Sequence, residues 1–143
     1  MGDDGIGVHS VRRLAAEAGR WAGVRCIDGG TLGYLLSGYL EGVDGLIVID
    51  AARMQAAPGT VALYLDEAMD DFLSTRPNRS VHEVGLADLM SMALLSGQLP
   101  ERRALIAVEP RETDWNTELS KPIAASLDRV CQSAAMLIET WRA

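Results

Sequence analysis

Apolar positions along this chain follow two rhythms. Val8, Val11, Leu14, Ala15 and Ala18 recur at helical spacing, and Gly19 stands where a helix would be capped. Leu46-Ile47-Val48-Ile49 is a continuous apolar run, mostly β-branched, that stops at Asp50. Such a run predicts a central strand buried on both faces. Segments rich in apolar residues at Val24–Ile27, Val61–Leu65 and Ala104–Val108 predict further strands, the last stopped by Pro110. Between them, helices are predicted from Leu32 to Leu40 behind a Thr31 cap and, short and acidic, from Asp66 to Leu73. Ser80 and Glu83 form the S-x-x-E pattern of a capping box ahead of an apolar run that ends near Leu95 and Gly97. A last helix follows a Ser120 cap and presents Ile123, Leu127, Val130, Ala134, Leu137, Ile138 and Trp141 on one side.

Alternating helices and strands predict an α/β fold, a three-layer α/β/α arrangement whose mostly parallel sheet is flanked by helices. One domain over residues 1–143 is expected at this length. The chain opens at Met1-Gly2-Asp3-Asp4, in the loop before the first helix, with no strand ahead of it. The fold's first strand is therefore expected outside this chain, Met1 being an internal methionine of a longer functional protein.

Composition narrows the functions. The formal charge of -7 lacks the basic face that nucleic-acid binding needs. Cys26 and Cys131 form no close-spaced motif and read as small buried hydrophobes of a reducing compartment. No signal peptide and no membrane-spanning run is apparent, so a cytoplasmic monomer is expected.

In open α/β sheets, ligands gather outside the carboxyl ends of the strands. Asp4, Asp50 and His82 each fall at a strand–helix junction of that kind, and two carboxylates with an imidazole suit a divalent metal with open positions. In the first turn of a helix, the positive dipole end keeps His82 neutral, as a ligand must be. Taken singly, Asp4 could complement the dipole, Asp50 close a turn, and His82 sit on the surface. Asp28 either caps the Gly29-Gly30 turn or acts as a catalytic carboxylate. The zincin pattern is absent, because Leu86 stands four residues after His82. Gly29-Gly30-Thr31-Leu32-Gly33 lacks dinucleotide spacing, and no Ser sits in a nucleophile elbow.

Several of these segments together resemble a known family. Gly2-Asp3-Asp4-Gly5-Ile6-Gly7-Val8, Asp28-Gly29-Gly30-Thr31-Leu32-Gly33, Ile47-Val48-Ile49-Asp50-Ala51, Pro58-Gly59-Thr60 and Ser80-Val81-His82-Glu83-Val84-Gly85-Leu86 are similar, in that order, to motifs of the nickel-iron hydrogenase maturation endopeptidases. The resemblance implies a metal-dependent protease that removes the C-terminal extension of a hydrogenase large-subunit precursor after nickel insertion. Nickel would come with the precursor, the metal ligands would be Asp4, Asp50 and His82, and Gly29, Gly30 and Thr31 would contact substrate. Two other readings stand beside it. A phosphoryl-accepting receiver domain would use Asp50 and Lys121-Pro122 but leave His82 and the Gly-Gly-Thr turn idle. A non-catalytic chaperone of a metallated subunit would share the site without breaking a bond.

Overall fold

The computed structural model describes residues 5–27, 40–75, 81–111 and 119–142. Its elements are α1 (Ile6–Ala16), β1 (Gly45–Ala51), β2 (Val61–Leu65), α2 (Glu67–Thr75), α3 (Val81–Leu95), β3 (Arg102–Val108) and α4 (Lys121–Arg142), with a short 3-10 turn at Ala18–Arg20. The fold is α/β, and the three strands form one small sheet in the order β1-β3-β2. The Ala52 amide, just past β1, donates to the Val108 carbonyl at the end of β3, so these two strands run parallel. Gly59 and Thr60, ahead of β2, pair with Glu109, just past β3, while Asp66 after β2 pairs with Arg103 at the start of β3. That pairing makes β2 antiparallel, and the sheet is mixed. The connection between β1 and β2, residues 52–60, has no helix and is too short for the crossover that a parallel pair of strands would need.

Two expectations change. Among the described residues β3, not β1, is the central strand, with Ala104 to Val108 all buried. β1 is half-buried along most of its length. Val24–Ile27 carries no strand assignment; with Arg25 inside it the segment has only three apolar residues, too short a pattern to fix a strand by itself. The helix read at Leu32–Leu40 lies outside the described residues, except for Leu40 itself.

The chain divides into two compact units. The first comprises Met1–Asp28, Val48–Leu63 and Leu105–Ala143. Here α1 packs on α4, with Ile6, Ser10 and Leu14 as its buried stripe. Gly7 lies so close to β1 that a Cβ there would stand 2.5 Å from the Ile49 carbonyl oxygen. Ile123, Val130, Ala134 and Leu137 line the buried face of α4, as their spacing predicts. Two ion pairs tie the outer edge, Arg13 with Asp128 at 2.5 Å and Arg20 with Glu139 at 3.1 Å.

The second unit comprises Gly29–Ile47 and Tyr64–Ala104. In it α2 packs on α3, and Phe72 of α2 stacks on Tyr64 of β2 with ring centroids 4.1 Å apart. Leu40, Leu89 and Ala93 form a small core joined by Leu46, Leu86 and Leu99. α3 ends as its glycine predicts. Gln98 donates to the Ala93 carbonyl and Gly97 to that of Leu94, with Gly97 at φ 73, the bonding of a Schellman cap.

Candidate active site

β1 carries its apolar run to the carboxyl end of the sheet and sets Asp50 there as its penultimate residue. The Asp50 carboxylate is half-buried, and its Oδ1 accepts the amide of Ala51 at 2.9 Å. That local bond orients the side chain at the strand end. Beyond it the chain enters the loop 52–60, which is held from beneath by the residue that follows β3. Glu109 is buried, and its Oε1 accepts the amides of Met54 at 2.6 Å and Ala56 at 3.0 Å. Its backbone completes the hold, accepting from Gly59 and donating to Thr60, each at 2.9 Å.

The Pro58-Gly59-Thr60 segment has its own constraint. Gly59 is at φ 89, a conformation costly for any side chain, and a Cβ there would stand 2.7 Å from the Pro122 carbonyl oxygen. Arg129 of α4 donates to the Gly59 carbonyl at 3.1 Å, fixing this turn to the last helix. Glycine is the residue that both conditions allow.

The remaining predicted site residues are placed unevenly. His82 is the second residue of α3 in the second unit, as the capping pattern predicts, but its side chain lies outside the described atoms. Asp4, Asp28, Gly29, Gly30 and Thr31 also lie outside the described residues. Among the described residues no three His, Cys, Asp or Glu side chains form a metal-sized cluster. Lys121 is the exposed first residue of α4, not the end of a strand, which removes the lysine position a receiver domain would use. No helix among the described residues is long and apolar enough to cross a membrane.

Sequence reasoning missed Glu109, which it left in a polar loop. Its partners lie 55 and 53 residues away, so no local periodicity marks it. The available signal was its position, a carboxylate directly after the apolar run Ala104–Val108.

Comparison with known proteins brings these features together. A model of the hydrogenase maturation protease family matches residues 8–136. The hydrogenase expression/formation protein HupD of Rhodobacter capsulatus is 34% identical over 140 residues, 97% of this chain and 66% of that protein. HoxM of Azotobacter vinelandii, described in the same words, is 35% identical over 127 residues, 88% of this chain and 61% of its own length. The chain thus spans somewhat less than two thirds of these curated relatives. Among solved structures, the hydrogenase-maturating endopeptidase HybD of Escherichia coli superposes with a TM-score of 0.86 at 29% identity, covering 98% of this chain and 86% of that one. A nickel-iron hydrogenase maturation protease from Thermococcus kodakarensis gives 0.81 at 26%, covering 96% and 91%.

Proposed function

Because the chain belongs to the hydrogenase maturation protease family, we propose that it is the endopeptidase that trims the C-terminal extension from a nickel-iron hydrogenase large-subunit precursor. The observation that carries this reading is the family match over residues 8–136, which takes in the Asp28–Gly33, Asp50, Pro58–Thr60 and His82 segments in order. The substrate is the precursor with nickel already inserted, and the reaction is hydrolysis of one peptide bond in the cytoplasm.

In this reading Asp4, Asp50 and His82 are the groups that engage the metal. Carboxylate and neutral imidazole donors suit a borderline ion such as nickel. The fixed Asp50 side chain, anchored by the Ala51 amide, supports a ligand role, because a donor held in one orientation loses little entropy on binding. Gly29, Gly30 and Thr31 are assigned to substrate contact, and Asp28 is the remaining carboxylate available for proton transfer. A bound metal would polarise the scissile carbonyl or activate water.

Incubating the full-length protein with nickel-loaded precursor should yield a faster-migrating large subunit on a gel. His82→Ala should abolish that shift, and a melt recorded alongside separates loss of the ligand from loss of the fold. Unchanged cleavage by this variant would reject the ligand role. Asp50→Asn keeps size and removes charge, so binding of nickel to the protein, followed by calorimetry, should weaken strongly. Labelling of Asp50 by a small phosphodonor, lost in the same variant, would favour the receiver reading instead.

A further inference from the structure

Two consecutive residues at the end of β3 organise the entire loop that follows Asp50. The Val108 carbonyl accepts the amide of Ala52, and Glu109 binds Met54 and Ala56 through its carboxylate and Gly59 and Thr60 through its backbone. Glu109 is 4% exposed. Burying a carboxylate is unfavourable unless its oxygens are hydrogen-bonded, and here one oxygen takes both loop amides. Between those amides sits Gln55 at φ 60, a left-handed conformation uncommon for a residue with a side chain. Arg53, Gln55, Ala56 and Ala57 are exposed above this anchor. A strained turn, held by a buried charge and presented to solvent at the carboxyl end of a strand, is a preformed contact surface.

We propose that Glu109 is a positioning residue of the cleavage reaction: its carboxylate holds the 53–57 turn in the shape that grips the extended C-terminal segment of the precursor. The inference rests on the endopeptidase reading above and adds a recognition element to it. Glu109 acts through the loop and touches no reacting atom, so its loss weakens capture of substrate more than turnover.

The test is steady-state cleavage of nickel-loaded precursor by the full-length protein and three variants, with melting recorded for each. Glu109→Ala is expected to raise KM about tenfold or more while changing kcat less than about threefold. Glu109→Gln keeps an oxygen where Oε1 stands and should return KM to within about threefold of the parent value. Ala56→Pro leaves the buried charge untouched, deletes one loop donor and pushes Gln55 out of its left-handed state. As an exposed substitution it should fold even where Glu109→Ala does not, and it should raise KM in the same way. An unchanged KM in Ala56→Pro overturns the proposal. So does a Glu109→Gln variant no better than Glu109→Ala, or activity lost only in proportion to unfolded protein. A parent protein that fails to cleave the precursor at all sinks the endopeptidase reading itself, and this inference with it.

Discussion

Ser10 shows how a single residue can escape a reading by pattern. Hydrophobic spacing assigns Val8, Val11 and Leu14 to the buried side of α1, whereas the stripe that is buried runs through Ile6, Ser10 and Leu14. The Ser10 hydroxyl is wholly buried and, among the described residues, has no oxygen or nitrogen partner, only the weakly bonding Cys131 thiol beside it. A buried hydroxyl without a strong partner costs about 1–3 kcal/mol, and alanine is also the better helix former. Ser10→Ala should therefore raise stability by about 1 kcal/mol in denaturant unfolding; a loss would mean the hydroxyl is paired in solution. Across the same helix contact, burial pushes the Cys131 thiol above its ordinary value, Arg13 pulls it down, Glu17 and Asp128 push it up, and Ser10 eases it slightly down. The folded state thus keeps this proton more tightly than the unfolded chain. Its contribution is fully present below the unfolded thiol pKa of about 8.5 and is lost as pH rises through the folded value. Stability should fall above about pH 8.5, less steeply in Cys131→Ala, as melts at stepped pH would record. In the second unit, Arg103 is nearly buried and pairs with Asp70 at 2.5 Å while donating to the Pro100 and Glu101 carbonyls. The Asp70 hydrogen bond raises the guanidinium pKa further. Asp70 is 37% exposed, so Asp70→Ala should cost about 2 kcal/mol, below the loss expected for a fully buried pair.

At the scale of elements, local chemistry was legible and strand pairing was not. β2 matches its expected span, and α3, β3 and α4 begin within two residues of their sequence signals, because caps, glycines and apolar runs are local codes. The direction of β2 and the central place of β3 are set by hydrogen bonds to residues far along the chain, which leave no periodic trace. The candidate site divides the same way. Asp50 at a strand end was legible from the run before it, while Glu109 became visible only once β3 was seen beside the 52–60 loop. Gly7 is the clearest test of how tightly these elements are fitted. The obstacle to a side chain there is the backbone carbonyl of Ile49 at 2.5 Å, which cannot swing aside as a flexible side chain would. Gly7→Ala should force α1 away from β1, at about 1–3 kcal/mol for an overpacked contact. The residue displaced is the one before Asp50, so precursor cleavage should fall by more than the melt alone explains. A variant with parent stability and activity would show that the helix is free to shift.

At the scale of the whole molecule, charge and an exposed apolar surface work against each other. The sequence carries a net charge of -7 and has a pI of about 4.7. α3 is apolar over more of its circumference than a surface helix needs, and its last turns leave Met92 at 45%, Leu94 at 65% and Leu95 at 88% exposure. At neutral pH, mutual repulsion between acidic molecules holds such patches apart. Near the pI that repulsion vanishes, and the exposed leucines offer apolar contacts between copies. Light scattering measured against pH should therefore peak near 4.7. The double variant Leu94→Gln, Leu95→Gln leaves the net charge untouched and removes the apolar surface. Both positions are solvent-facing, so stability should stay within about 0.5 kcal/mol of the parent. The scattering peak should shrink while its position on the pH axis holds. A peak of undiminished height would place the association elsewhere on the surface, and a peak at a new pH would show that charge distribution, not the α3 leucines, sets where copies meet.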